Sequence, residues 1–375
     1  MARAARSAGA EVLVMTHVTR LKSAIEAEGM RVIPWDISRR SLNPFRELAA
    51  LLKVISAYRH ERPELVHHVA LKPVVYGGLA ARICGGIACV NAIAGLGHVF
   101  TSSVLRMRLL RIVLSKLLRV ALKAKNAKTV LQNDENRNLL VKDGIVSIDQ
   151  SVVIRGAGVD IDEFKPRDEP TDVPVVVLAS RMLWEKGIRE FVTAATKLRD
   201  QGILARFVLV GKPDPENPSS IPLEQIRQWQ ESRLVEYWGH QDDMATVFAQ
   251  SNLVCLPSYL EGLPRVLIEA AACGRAIVAT DVTGCREIVR PEDNGLLVPP
   301  RDSDALARAL ARLIKNPGLR ARMGVHGREL VVREFSEEIV FTQTIDVYRQ
   351  LLGARWPAYP LICKDDEILS ESGRP

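Results

Sequence analysis

The chain has 375 residues, of which 47% are hydrophobic and 25% are charged. This balance excludes a disordered chain and favours a globular protein of about two domains. Lys and Arg exceed Asp and Glu by 51 to 44, and the net charge of +7 suits anionic ligands or an anionic surface. No 18-residue uncharged apolar run occurs, so no transmembrane helix is expected, and the first residues lack the apolar core of a signal peptide.

Strand-like and helix-like segments alternate through the first half, which favours an α/β domain with a parallel sheet. The chain opens on an Ala-rich helical stretch, Ala2–Ser7, that ends at Gly9. A doubly wound domain normally begins with a central strand and a glycine-bearing turn. We therefore expect a first domain without its first strand and favour an incomplete N-terminus. The predicted strands are Glu11–Met15, Arg31–Trp35, Leu65–Val69, Ala88–Ile93, Thr129–Leu131 and Val152–Arg155.

The segment from Thr101 to Asn133 has eight basic residues and no acidic one. At helical spacing between Leu105 and Lys123, the cations share one side and the apolar residues the other. Such a helix can lie in the surface of an anionic bilayer, or it can bury its apolar stripe in the domain core. Because no aromatic residues interleave the cations, nucleic-acid binding is not expected. The cations are Arg108, Arg111, Lys116, Arg119 and Lys123, and the apolar residues are Leu109, Leu110, Val113, Leu114, Leu117 and Val120.

A Pro- and charge-rich stretch, 165–174, predicts a linker between domains, and a second α/β series follows it. We therefore expect two Rossmann-like domains facing a cleft, at 1–166 and 173–335. A helix at 336–352 is expected to pack back on the first domain, and 353–375 is expected to be a tail. The predicted strands of the second domain are Val175–Ala179, Arg206–Val210, Val235–Trp238, Leu253–Leu256, Ala276–Ala279 and Gly295–Val298.

The run from Pro257 to Gly274 is the most informative motif of the chain. A strand ends in a Pro-Ser turn, and a helix is predicted to open near Leu263 with Pro264 in its first turn. Glu261 precedes that helix and Glu269 lies inside it. The helix start offers amides for phosphate, and the two carboxylates suit sugar hydroxyls, so the motif favours a nucleotide-sugar site. The alternative is an amphipathic helix with two surface glutamates.

Two cations and a glycine add to this site. Arg181 and Lys186 follow a predicted strand, so they are expected at the carboxyl edge of the sheet, where α/β proteins bind ligands. Gly284 follows another strand, and its lack of a side chain would let backbone approach a phosphate closely. Solvated loop cations and an ordinary turn are the competing interpretations. The six cysteines are scattered without the spacing of a zinc site, which predicts reduced thiols in a cytosolic protein.

Taken together, these motifs resemble the retaining glycosyltransferases of family four, the glycogen-synthase-like group with the GT-B architecture. The residues that carry the resemblance are Gly158, Val159, Asp160, Ser180, Arg181, Glu185, Lys186, Gly187, Val210, Gly211, Gly239, Pro257, Ser258, Glu261, Gly262, Pro264, Glu269, Ala270, Gly274, Thr280, Asp281, Gly284, Glu287, Asn294 and Gly295. In the first half, 66–77 and 90–101 resemble bacterial enzymes that add an α-linked hexose or N-acetylhexosamine to an undecaprenyl-diphosphate sugar.

The resemblance implies a role for each matching position. Arg181 and Lys186 would bind the diphosphate of a UDP-sugar, Glu269 its ribose and Glu261 the donor sugar. The backbone of Gly262 and Leu263 would line the sugar and phosphate. The reaction would retain anomeric configuration and need no metal or other cofactor. The expected acceptor is polyprenyl-diphosphate-linked, and the expected location is the cytoplasmic face of the cell membrane.

Three other functions fit parts of this pattern. A dehydrogenase would share the two domains, but neither Gly95–Gly97 nor Gly156–Gly158 is followed by the third glycine of a dinucleotide site. A sugar-nucleotide epimerase would share both architecture and donor. A catalytically impaired relative that acts in binding or assembly becomes attractive if the first strand is truly absent. Ala94 stands where many relatives carry a histidine, which weakens any assignment of a catalytic histidine.

Overall fold

The computed structural model describes residues 1–17, 22–37, 43–95, 105–124 and 126–356, and of 105–110 it describes only the backbone. The predictions for Arg108, Leu109 and Leu110 and for the tail from 357 onward lie outside the described side chains. The described strands alternate with helices along both halves, as the sequence predicts.

The second domain is built on a six-stranded parallel sheet in the order β12-β11-β10-β7-β8-β9. The central strands are buried along their whole length, because helices cover both faces of the sheet. The strands are β7 (Val175–Ala179), β8 (Arg206–Val210), β9 (Glu236–Gly239), β10 (Leu253–Leu256), β11 (Ala276–Thr280) and β12 (Gly295–Val298). The helices are α7 (Ile188–Asp200), α8 (Leu223–Glu231), α9 (Met244–Ala249), α10 (Arg265–Ala272), α11 (Thr283–Arg286), α12 (Ser303–Ile314) and α13 (Pro317–Glu334).

The first domain holds two separate parallel sheets. One pairs β1 (Leu13–Thr16) with β2 (Arg31–Pro34), and the other has the order β3-β4-β5-β6. Among the described residues no strand joins the two sheets. The strands of the larger sheet are β3 (Leu65–Val69), β4 (Ala88–Ile93), β5 (Ala127–Leu131) and β6 (Ser151–Val153).

Helices cover both faces of the four-stranded sheet. On one face α3 and α5 both pack against α4, which lies between them. On the other face, α1 and the last long helix, α14, enclose a small apolar core with β4 and β5. None of the described helices combines the length and apolar character needed to cross a membrane. The helices are α1 (Ala2–Ser7), α2 (Lys22–Ala27), α3 (Pro44–Glu61), α4 (Leu71–Cys84), α5 (Leu105–Leu122), α6 (Asp134–Lys142) and α14 (Glu337–Leu352).

Among the described side chains of α5, the cations do not all face solvent and the apolar residues are not all buried. Arg111 pairs with Asp143 at 2.7 Å, and Arg119 donates to the backbone carbonyls of residues 143 and 144. The helix buries Leu118 against the domain core, whereas Val113, Leu117 and Val120 of the predicted apolar side are exposed. The loop after α6 thus takes two of the predicted surface cations, and the helix turns apolar side chains outward.

The chain crosses between the domains twice, and the two crossing segments are hydrogen-bonded to each other. The amide of Val159 donates to the carbonyl of Phe335 at 3.0 Å, and the amide of Glu337 donates to the carbonyl of Val159 at 3.0 Å. The first segment is also fastened to the second domain, because the buried Arg275 donates to the carbonyls of Arg167 and Asp168. The predicted linker is therefore anchored along part of its length.

Candidate active site

The loop before α10 carries the predicted donor residues. The helix begins at Arg265, two residues later than predicted, and Pro264 is its N-cap with extended backbone (φ −76°, ψ 105°). Pro264 therefore precedes the first turn instead of lying within it. The Pro264 carbonyl accepts from the Leu267 amide at 3.0 Å, whereas the peptides from Glu261 to Leu263 lie ahead of the helix.

Lys186 and Glu261 are brought into direct contact. The Lys186 ammonium donates to the Glu261 carboxylate at 2.6 Å, and the two side chains are only 19% and 11% exposed. Lys186 ends a short 3-10 helix that follows β7, whereas Glu261 follows β10. Two neighbouring strands of the sheet thus deliver a cation and an acid to one point at their carboxyl edge.

Backbone packs tightly beside this pair. A Cβ on Gly284 would lie 2.5 Å from the carbonyl oxygen of Gly262 and 2.8 Å from that of Glu261. A Cβ on Gly262 would in turn lie 2.7 Å from the carbonyl oxygen of Ala94 in the first domain. Both positions therefore exclude a side chain. The two glycines let the loop before α10 lie between the start of α11 and the carboxyl end of β4.

Glu269 is buried one turn into α10 and contacts Arg265 at 2.7 Å. Burial raises the pKa of the Glu269 carboxyl, and the neighbouring Arg265 opposes that shift. The Arg265 side chain itself is 61% exposed, so a ligand can reach the pair from solvent. Glu269 is thus a partly desolvated acceptor that suits hydroxyl donors.

Arg181 lies at the carboxyl end of β7 but faces outward. It pairs with Asp214 at 3.1 Å, and its side chain is 58% exposed. No described contact joins Arg181 to Glu261 or Glu269, so of the four charged residues only Lys186 and Glu261 touch. Among the described residues no group of three His, Cys, Asp or Glu side chains is placed to hold a metal ion.

The first domain adds Asn133, which the sequence reasoning missed. This residue is fully buried after β5, and its side-chain oxygen accepts from the Asn136 amide at the start of α6. Its side-chain amide donates to the carbonyl of Gly262 across the domain boundary at 3.2 Å. The signal available in the sequence was a capping residue directly after a buried strand, at the edge where ligands bind.

Two further polar contacts join the domains near this loop. The Thr283 hydroxyl at the start of α11 donates to Glu135 at 2.8 Å. Arg155, after β6, pairs with Glu287 at 3.2 Å. With the contact of Asn133, they place the loop before α10 against the carboxyl ends of the first domain's strands.

Comparison with known proteins finds one family match in each half of the chain. Residues 1–133 match the family described as glycosyl transferase 4-like, and residues 173–316 match the family described as glycosyl transferases group 1. Sucrose-phosphate synthase from Thermosynechococcus elongatus superposes with a TM-score of 0.77 at 23% identity, covering 94% of this chain and 92% of that one. This likeness shows the fold.

Two curated relatives align over most of their length. One is the N,N'-diacetylbacillosaminyl-diphospho-undecaprenol alpha-1,3-N-acetylgalactosaminyltransferase of Campylobacter jejuni, which is 28% identical over 91% of this chain and 92% of its own. Another is the UDP-Gal:alpha-D-GlcNAc-diphosphoundecaprenol alpha-1,3-galactosyltransferase of Escherichia coli, which is 23% identical over 79% of this chain and 78% of its own. The protein is a glycosyltransferase with the GT-B fold, whose first half matches the glycosyl transferase 4-like family and whose second half matches the glycosyl transferases group 1.

Proposed function

We propose that this enzyme transfers a hexose or N-acetylhexosamine from a UDP-sugar to a lipid-linked acceptor with retention of anomeric configuration. The observation that carries the proposal is the contact of Lys186 with Glu261 beside the close-packed backbone of Gly262 and Gly284. When a diphosphate binds Lys186, the Glu261 carboxylate loses this partner and becomes free to accept hydrogen bonds from sugar hydroxyls. Replacing this one ion pair would then let the site bind both the diphosphate and the sugar of the donor.

Each donor residue has a defined part in this proposal. Lys186 and Arg181 bind the diphosphate and stabilise the negative charge that grows on the departing UDP. Glu269 accepts from the ribose hydroxyls, and backbone amides of Gly262, Leu263 and Gly284 line the sugar and phosphate. The nucleotide leaves on the face that the acceptor attacks, which gives retention. No metal or other cofactor takes part, since the cations and amides supply the positive charge.

The proposed acceptor is a sugar on a polyprenyl diphosphate, presented at the cytoplasmic face of the membrane. The two relatives named above act on undecaprenyl-diphosphate-linked sugars, which supports this class. On α5 the exposed side chains of Val113, Leu117 and Val120 flank the exposed Lys116, which suits the surface of an anionic bilayer. The enzyme would bind that surface peripherally.

The decisive experiment offers radiolabelled UDP-sugars to the purified protein with membrane lipid extract and follows label into the organic phase. We expect transfer from a UDP-hexose or UDP-N-acetylhexosamine that persists in EDTA. Product NMR should show the anomeric configuration of the donor. Glu269→Ala should abolish UDP binding in calorimetry, whereas Glu224→Ala, at an exposed position on α8 of the same domain, should not. Inverted product or unaltered UDP affinity in Glu269→Ala would contradict the proposal.

A second candidate is a binding or assembly protein without turnover. The separation of the two sheets in the first domain favours it, because the glycine turn that follows a central strand normally helps to enclose the donor. Such a protein would bind UDP in calorimetry with the same dependence on Glu269, yet transfer no label. The labelling experiment therefore separates the two candidates.

A further inference from the structure

Exposed apolar side chains concentrate on one layer of the first domain. Of the sixteen large hydrophobic side chains exposed in the described residues, eight belong to the adjacent helices α3, α4 and α5. They are Phe45, Leu48, Leu52, Ile83, Ile112, Val113, Leu117 and Val120. Single surface hydrophobics are normal, but half of those exposed in the described residues lie on three adjacent helices, so this layer calls for a partner.

Helix α3 contributes the most exposed of these side chains. Asn43 caps the helix by accepting from the amides of residues 45 and 46, and this cap places Phe45 in the first turn. Phe45 is 81% exposed, and Leu48 and Leu52 follow it at 53% and 55%. The spacing of three and four residues aligns them in one stripe. The opposite face of α3 buries other apolar residues, so the helix carries two apolar faces, of which only one has a partner.

The charges of this layer select the partner. Helices α4 and α5 contain no acidic residue, and the two glutamates of α3 are both engaged, Glu47 by Lys72 and Glu61 by Arg31. Among the described side chains of the three helices, the exposed Lys and Arg residues are Arg46, Lys53, Arg59, Arg82 and Lys116. This surface combines apolar side chains with cations, and its acids are paired. It therefore fits an anionic membrane, whose headgroups would bind the cations and whose acyl chains would contact the apolar side chains.

The layer also lies at the mouth of the cleft. Lys72, in the first turn of α4, contacts Glu47 in the first turn of α3, so both helices start at the same edge. That edge follows the carboxyl end of β3, next to the end of β4 that faces Gly262. If the first turn of α3 binds a membrane, the membrane surface would therefore lie next to the site of sugar transfer.

We propose that Phe45, Leu48 and Leu52 form a second lipid-contacting element, which inserts into an anionic membrane surface beside α5. The inference rests on the membrane association proposed above and adds the element that orients the cleft toward the bilayer. Helix α5 alone would leave the enzyme free to roll about one axis. Two helices across one layer fix the plane of contact.

Co-flotation with phosphatidylcholine–phosphatidylglycerol vesicles tests this element. Phe45→Ser should lower the partition coefficient at least about tenfold, because a buried Phe side chain contributes strongly to apolar transfer. The matched control is Leu204→Ser, since Leu204 is 77% exposed on the second domain. Both side chains are in solvent, so neither change should impair folding. In a second measurement, Phe45→Trp should gain fluorescence quenching by brominated acyl chains over the parent protein, and Leu204→Trp should not.

Each outcome decides the inference. Loss of flotation in Phe45→Ser alone, with quenching at position 45, supports it. Wild-type flotation of Phe45→Ser without quenching overturns it, while loss in Val113→Ser would still preserve the role of α5. If the wild-type protein does not float, the membrane association itself fails, although transfer to detergent-dispersed acceptor would leave the enzymatic proposal standing. If Phe45→Ser instead converts a dimer to a monomer in sedimentation, the layer binds a second copy and the lipid assignment is wrong.

Discussion

At the scale of single residues, the charged groups assigned to substrate are held by neighbours of opposite charge. Lys186 holds Glu261 and Arg265 holds Glu269, whereas Arg181 is held by Asp214. A charge removed from water is costly unless it is paired, and this applies most to Lys186 and Glu261, which are only 19% and 11% exposed. Substrate binding then becomes an exchange of one ion pair for another.

The mutual dependence of Lys186 and Glu261 can be measured by urea unfolding. Lys186→Met strands a carboxylate that is nearly buried, and we expect a loss of about 3–5 kcal/mol in the free energy of unfolding. The double variant Lys186→Met/Glu261→Gln should recover part of that loss, because it removes the stranded charge. Both variants should fail to bind UDP. A double variant as unstable as the sum of the two single variants would show that the pair is not coupled.

The raised pKa of Glu269 predicts how donor affinity depends on pH. The carboxylate accepts from ribose, so affinity is retained above its pKa and falls as pH drops through it. Because burial raises that pKa, the acid limb should lie at higher pH than for an ordinary glutamate. Arg265→Ala removes the opposing cation and should move the limb further up. Calorimetry with a UDP-sugar suits the test, since its diphosphate diester keeps its charge across that range.

The control for this shift is Arg349→Ala, which removes an exposed Arg–Asp pair on α14. Its binding curve should superpose on that of the parent. An acid limb that stays in place in Arg265→Ala would mean that another group governs the binding.

At the scale of elements, helix α6 connects the two domains through its cap. The Asn133 side-chain oxygen accepts at the start of α6, and its side-chain amide donates to Gly262. One side chain therefore both caps the helix and positions the loop before α10. Asn133→Ser keeps a good capping residue but is too short to reach the loop. We expect little change in stability, because the cap is kept and the Gly262 carbonyl is only part-buried, and about tenfold weaker UDP-sugar binding, because the donor loop loses the hydrogen bond that fixes it.

The matched variant is Asp243→Ser, which preserves a cap on α9 and touches no residue of the first domain that the structure describes. It should bind UDP-sugar like the parent. Equal affinities in the two serine variants would remove Asn133 from the site.

The elements themselves were largely predictable, and the partners of their side chains were not. Runs such as Val175–Ala179 are apolar throughout because both faces of the sheet are covered, and this pattern needs no long-range information. By contrast, the pairing of Arg111 with Asp143 depends on which loop lies opposite the helix. Periodicity tells which residues share a face but not what that face meets. The same reason explains why Lys186 and Glu261 were predicted to converge on one ligand but not to bind each other.

At the scale of the whole molecule, the two crossing segments set how the domains are coupled. Gly158 has a left-handed backbone (φ 80°), and a Cβ there would lie 2.6 Å from the Cα of Glu337 in the other segment. Gly158→Ala should therefore force the segments apart. We expect calorimetry to show two separate unfolding transitions where the parent shows a single transition.

Gly202→Ala supplies the matched control. Gly202 has nearly the same backbone angle (φ 71°) but nothing within 4 Å of its Cβ position. This variant should lose about 1 kcal/mol from backbone strain and keep one transition. If both variants melt alike, strain at the glycine matters and the contact with Glu337 does not.

The bonds between Val159 and the segment from Phe335 to Glu337 have one more consequence. Two independent crossing segments would let the domains slide and twist relative to each other. Because the segments are hydrogen-bonded to each other, they act as a single pivot. Opening is then confined to a rotation of the domains about that pivot, which would separate Gly262 from Ala94. A bulky product would leave only after the domains open, so product release would limit the rate of turnover.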